Sequence, residues 1–230
     1  MHHVNSRRFG LKFDVLIRGG EVIDPSQGLR GTFDVAVSGK RIASIAPNLP
    51  VSEAHHVIDA SDRIVMPGLI DLHVHAYRDH TTLGLDPEPM CSAGGVTTML
   101  DTGSAGSHNF AGFLRDVITP AKTEVLALCN LSAIGLATFN RTGELLDRAL
   151  ADRDGAIATI REHPNILVGV KIRAGAHLIA TGKSGWDNFM DAVAVARETS
   201  TMLMVHIGDT PMSVPEIMEH MQRGIYCRRQ

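Results

Sequence analysis

From Phe13 the chain alternates apolar and polar residues in short runs broken by turn residues. Phe13-Asp14-Val15-Leu16-Ile17-Arg18 precedes Gly19-Gly20, and Phe33-Asp34-Val35-Ala36-Val37 precedes Ser38-Gly39. Arg41-Ile42-Ala43-Ser44-Ile45 and His56-Val57-Ile58-Asp59 continue the rhythm as far as Val65. A period of two residues, punctuated by glycine, predicts a small antiparallel sheet. His55-His56 has no acidic or cysteine companion nearby and is read as a sheet-edge pair rather than a ligand pair.

After Met66-Pro67-Gly68 the rhythm becomes apolar strand followed by a longer helical pattern. Predicted strands are Leu69 to Val74, Val96 to Leu100, Val125 to Leu131, Ile166 to Ile172 and Met202 to His206. Predicted helices are Pro89 to Gly94, Asn109 to Ile118, Gly143 to His163, Gly185 to Ser200 and Val214 to Met221, the last opening after Ser213 with Pro215 in its first turn. Repeated strand and helix mean parallel strands joined by right-handed crossovers. An open doubly wound sheet would carry a glycine-rich phosphate turn after its first strand, and here that turn holds His73-Val74-His75, so a (β/α)8 barrel is favoured. A full barrel needs about 250 residues. About 160 follow Pro67, enough for about five strand-helix units. The expected fold class is α/β, a partial TIM barrel over residues 66–230 behind the N-terminal part of a β-sandwich over residues 1–65.

Composition narrows the function classes. With 44% hydrophobic and 20% charged residues the chain is neither a membrane span nor a disordered polyelectrolyte. A net charge of -3, with Arg228-Arg229 as the nearest thing to a basic cluster, argues against nucleic acid as a partner. Three cysteines, Cys91, Cys129 and Cys227, are odd in number and lack CxxC spacing, which suits a reducing cytoplasm. Met1 to Lys12 is polar and basic without a following apolar h-region, so no export and no membrane partner are expected. His2-His3, adjacent at a terminus, is read as incidental.

The chemistry gathers at strand ends. His73 and His75 are two apart, so a regular strand points both imidazoles to one side, where they reach one ion. Lys171, inside Val168-Gly169-Val170-Lys171-Ile172-Arg173, sits in a strand otherwise fit for burial. Burial lowers a lysine's pKa, and a neutral amine reacts with carbon dioxide to give a carbamate, a carboxylate-like bridge between two metals. A lysine that snorkels to solvent is the plainer reading of that residue alone. His206 closes Thr201-Met202-Leu203-Met204-Val205-His206. Three strands of one series that end on ligand types converge at the mouth of a barrel, where such folds keep their active sites.

Val65-Met66-Pro67-Gly68-Leu69-Ile70-Asp71-Leu72-His73-Val74-His75 resembles the first-strand signature of the amidohydrolase superfamily. Gly95-Val96-Thr97-Thr98, Asp101-Thr102-Gly103-Ser104-Ala105-Gly106, Val168 to Arg173 and Val205-His206-Ile207-Gly208 extend the likeness to its dinuclear dihydroorotase-like and deacetylase-like members. The resemblance implies two divalent metal ions, zinc for preference, with His73 and His75 on the more buried one, His206 on the second, and Lys171 bridging as N6-carboxylysine. It implies a hydrolase of C–N amide or ester bonds in a small-molecule substrate, N-acyl, cyclic amide or deacetylase in type, acting through a metal-bound hydroxide. Tyr77, Ser104, Arg173 and His177 follow strand ends and are candidate substrate contacts; each reads equally well as a solvated loop residue. Asp71 is a candidate orienting carboxylate, or a cap.

The family draws a further histidine from its sixth strand and its general-base aspartate from its eighth, and neither position exists in this sequence. After Met221-Gln222-Arg223 the chain reads Gly224-Ile225-Tyr226-Cys227-Arg228-Arg229-Gln230. The expectation is therefore a C-terminally truncated member whose fifth strand is left as a free parallel edge, prone to aggregation or to pairing as a homo-oligomer. The alternative function is a catalytically inactive metal-binding fragment.

Overall fold

The computed structural model describes residues 12–221, together with the backbone of a strand at Tyr226–Arg229. His2, His3 and the side chains of Cys227, Arg228 and Arg229 lie outside the described residues. The chain divides into two compact units, residues 1–67 and 68–230.

The first unit is a five-stranded sheet: β1 (Phe13–Asp24), β2 (Leu29–Ser38), β3 (Arg41–Ala46), β4 (Ala54–Asp59) and β5 (Ile64–Val65). Its order is β3-β2-β1-β4, with β5 also on β1. The sheet is mixed, not antiparallel as the alternation predicted. The β1-β2-β3 meander is antiparallel, whereas β4 and β5 run parallel to β1. Alternation reports which face a residue takes and is silent on strand direction. Phe13, Leu16 and Ala36 form its small core, and β4 at the edge carries the exposed pair His55 and His56.

The second unit repeats strand and helix five times and adds a sixth strand. The pairs are β6 (Leu69–Val74) with α1 (Pro87–Gly94), β7 (Val96–Gly106) with α2 (Phe110–Phe113), and β8 (Glu124–Asn130) with α3 (Phe139–Thr142) and α4 (Arg153–Glu162). Then come β9 (Leu167–Arg173) with α5 (Gly182–Thr199) and β10 (Met202–Ile207) with α6 (Val214–His220). The strands lie side by side in chain order, all parallel, and β11 (Tyr226–Arg229) continues the series beside β10. This is the partial (β/α)8 arrangement read from the rhythm. The free edge expected at the fifth strand is instead paired, because four residues of the terminal segment extend along it.

Local chemistry sets the helix starts. Asp86, Asp152 and Ser213 accept hydrogen bonds from the backbone N–H groups of Glu88, Gly155 and Glu216, and proline follows in the first turn of α1 and α6. The helix expected over Gly143 to His163 is broken. Gly143 takes a φ of 68°, Leu145 bridges to Ile179, and Asp147 caps a single 3-10 turn before α4 begins. The segment expected as one helix over Asn109 to Ile118 is the short α2 followed by a π-helical turn, Leu114–Ile118. Apolar residues of β7 to β10 pack on Phe110, Phe113, Ile157, Ile160, Phe189 and Val193 from the helices in one continuous core. On the other sheet face Leu100, Leu128 and Met204 cluster. Leu128 and Met204 each precede by two residues a polar group on the same face, Asn130 and His206, so this apolar layer floors the site.

Candidate metal centre

β6 supplies one wall. His73 and His75 face the same way with ring centroids 5.7 Å apart at 84°. The β6–β7 register shifts between Asp71 and Val74, and the turn beyond is tied down by buried Asp101 on β7. One Asp101 oxygen accepts the Ala76 backbone N–H at 2.7 Å and the Ser104 hydroxyl at 2.7 Å; the other accepts the Ser104 N–H at 2.7 Å. Burial still raises the Asp101 pKa against these bonds. Because the Ser104 proton is committed to Asp101, its oxygen accepts from Nδ1–H of His75 at 3.1 Å. That assigns the tautomer and leaves Nε2 of His75 as a lone-pair donor. Burial first, then the positive charge of Lys171, lowers the His75 pKa to about 3, so the ring is neutral at pH 7.

β9 and β10 supply the other wall. Lys171 is 0% exposed, in register with Asn130 on β8 and Met204 on β10. Its stem occupies space that only glycine leaves. At Gly103, with φ of 85°, an added Cβ would stand 2.7 Å from Lys171 Cβ and 2.8 Å from Cγ. His206 pairs in register with Arg173, and burial, then the Arg173 and Lys171 charges, lowers its pKa to about 4. Arg173 Nε lies 3.3 Å from Glu144 Oε1, and its guanidinium stands 5.1 Å from the centroid of the Phe139 ring. Asn130 Nδ2 donates to the other Glu144 oxygen at 3.1 Å and to the Gly103 carbonyl at 3.0 Å. Burial outweighs these attractions and raises the Glu144 pKa to about 7.

His73, His75, Lys171, Arg173 and His206 line one cavity of about 500 Å³, with Asp71 beside them and Leu83, Leu85 and Met90 as apolar wall. Among the described residues no three His, Cys, Asp or Glu side chains form a ready-made chelate. The donor set nevertheless fits divalent cations, because the imidazoles of His75 and His206 are held neutral and one wall of their cavity is a fully buried lysine. Asp71 accepts the His73 backbone N–H at 3.0 Å.

The four candidate substrate contacts separate. Arg173 lines the cavity, and Ser104 is buried behind His75. Tyr77 lies outside the lining, packed on Phe113 and His80 with its hydroxyl donated to the Asn109 carbonyl at 3.3 Å. His177 is exposed, outside the lining, and 3.2 Å from Asp209. Asp101, Asn130 and Glu144 were missed in the sequence. Asn130, ending an apolar strand as His206 does, carried the one local signal for such a role.

No helix among the described residues is long and apolar enough to cross a membrane. Residues 56–203 match the model of the amidohydrolase family. The chain is 34% identical to a deacetylase of Agrobacterium fabrum over 83% of its own length and 47% of that protein's. It is 34% identical to a dihydroorotase of Trichlorobacter lovleyi over 58% of this chain and 32% of the relative. A crystal structure of a dihydroorotase superposes with a TM-score of 0.81 at 30% identity, covering 90% of this chain and 54% of the other. The chain thus spans about half the length of the deacetylases it matches. A βα series whose strand ends gather His73, His75, Lys171 and His206 in one cavity, matched over residues 56–203, makes this chain a member of the amidohydrolase family.

Proposed function

We propose that the chain carries one part of the centre of a metal-dependent hydrolase of C–N amide or ester bonds, acting on a small acylated molecule. The observation that carries this reading is the convergence of His73, His75, Lys171 and His206 on one cavity. Its kinship with deacetylases and dihydroorotases supports the reaction class. His73 and His75 would hold one cation and His206 a second, with Lys171, as N6-carboxylysine, between them; zinc suits imidazole donors.

Bound there, the cations would supply Lewis acidity toward a carbonyl oxygen and lower the pKa of water. The protein's own groups do the rest. Ser104 and Asp101 fix the His75 ring and its tautomer, so the donor atom needs no reorganisation. Gly103 leaves the room that the Lys171 stem occupies, and Lys171 stands in register with Asn130 on β8. Leu83, Leu85 and Met90 give one side of the cavity an apolar lining. Buried, free Cys91 and Cys129 support a reducing cytoplasm as the compartment.

The test is metal analysis of protein purified from zinc-supplemented culture, with NMR detection of a lysine carbamate formed from labelled bicarbonate. Bound zinc and a carbamate signal, both lost in Lys171→Ala, are expected, as is chelator-sensitive hydrolysis of an N-acetylated amino acid or aryl acetate. A protein that takes up no divalent cation overturns the reading.

A further inference from the structure

Arg173 is held in place by Phe139 and Glu144, which lie outside its own strand. Its guanidinium stands 5.1 Å from the Phe139 centroid, and Nε lies 3.3 Å from Glu144 Oε1. Glu144 is fixed in turn: Asn130 donates to its other oxygen at 3.1 Å, and its own backbone N–H donates to the Leu178 carbonyl at 3.1 Å. The Leu145 N–H reaches the same carbonyl at 2.8 Å. Phe139 and Glu144 come from the loop region between β8 and α4, which the sequence predicted in part as helix. That region is folded back so that one aromatic face and one carboxylate meet a single arginine.

The arginine is nevertheless left with something to bind. Its side chain is 12% exposed and lines the cavity, and its Nη1 is buried without a hydrogen-bond acceptor among the described residues. A buried donor without an acceptor is costly, and a planar guanidinium fork is matched geometrically by a carboxylate. Arg173 follows Lys171 by two residues on β9, hence on the same face and about 7 Å along the strand. An anion on Arg173 therefore sits within the span of one small molecule whose acyl group lies at the histidines.

We propose that Arg173 is the specificity-determining residue that receives a carboxylate of the substrate, and that Glu144, with Asn130 and Phe139, is its positioning group. The substrate class is then a small acylated acid, not a neutral amide or ester. The inference rests on reading the cavity as a hydrolase site. As a carboxylate Glu144 serves both neighbours, one oxygen accepting from Asn130 Nδ2 and the other standing within ion-pair distance of Arg173 Nε, where a glutamine would bring no negative charge.

The test is calorimetric titration of the zinc-loaded protein with N-acetylphenylalanine and with its neutral primary amide, alongside hydrolysis of both. Wild type should bind the acid on the order of ten- to a hundredfold more tightly than the amide, the range of one charge-assisted bidentate contact. Arg173→Met should abolish that preference with amide binding retained, and Arg173→Lys, which keeps the charge without the fork, should retain a fraction of it. Glu144→Gln should weaken acid binding several-fold and leave the amide unchanged, a split that a merely structural role would not give. Thermal melts establish that each variant is folded. Equal affinities in wild type, no binding of the acid, or equal losses for both ligands in the variants overturn the inference. Arg173-dependent acid binding without hydrolysis of either compound upholds it while counting against the hydrolase reading.

Discussion

The two walls of the centre are built in different ways. β9 places Lys171 by burial on both sides, since Leu167, Val170 and Ile172 are closed in the core and the lysine itself is fully covered. β6 carries His73, with His75 just beyond its end, on a strand whose Ile70 and Leu72 are exposed and whose register to β7 slips twice. There His75 owes its placement to hydrogen bonds, Asp101 gripping the turn and Ser104 gripping the ring. A ligand can thus be positioned by packing or by polar ties, and the two differ in what disturbs them: volume changes in the first case, protons and lost acceptors in the second.

The sharpest way to break the comparison is Ile172→Ala. Ile172 is 0% exposed between Lys171 and Arg173, so its truncation should cost about 2–5 kcal/mol in a denaturant melt. A cost below about 1 kcal/mol would mean that the β9 wall is not held by packing.

Two groups of the centre, His75 and Glu144, should also titrate in opposite senses in metal-free protein. His75 is depressed to about 3 from 6.5, so its contribution to stability is present above 6.5 and lost as pH falls toward 3. Glu144 is raised to about 7 from 4.5, so protonation favours the fold and stability is lost as pH rises from 4.5 through 7. On acidification Glu144 therefore offsets the His75 loss, by on the order of 3 kcal/mol over the full window. Urea melts across pH should find a steeper acid loss in Glu144→Gln than in wild type, and parallel curves would remove Glu144 as the opposing group.

Gly103→Ala joins the walls. The methyl group would press on the stem of Lys171 in a left-handed backbone conformation, and should cost about 2 kcal/mol and lower zinc stoichiometry together. Normal metal content in a melted-down variant would separate stability from site geometry. The smallest effect belongs to Leu72→Ala. At 64% exposure its truncation should fall within about 0.5 kcal/mol of wild type, in contrast to Ile172 on the facing wall.

The same contrast explains what the amino-acid order revealed. The strands of the second unit were legible because each is a short, mostly apolar run, and the ligand-type residues stand at or near the ends of three of them. Glu144 was illegible because nothing local marks it: it sits in a stretch with helical periodicity that Gly143 and the caps Asp147 and Asp152 cut apart. Asp101 reads as one polar residue in a glycine-rich strand end, and its role exists only through Ala76 and Ser104, brought to it by register. Tyr77 looked placed for the cavity by its distance from His75, but a buried aromatic ring beside Phe113 takes it the other way. The parallel return of β4 in the first unit depends on a chain path that alternation does not encode.

Between β8 and β9 the pairing advances unevenly: Ala127 faces Leu167, yet Leu128 faces Gly169. That skipped residue sets the phase in which Lys171 meets Asn130 and turns toward the cavity. Since a slip of one position would exchange the two faces of a strand, Val170 and Ile172 would enter the cavity and the amine would be driven into the core beneath the helices. The length of the connection ahead of Leu167, where no side chain takes part in chemistry, is accordingly a timing element for the centre: a single deletion there would scramble the donor set without altering one of its residues.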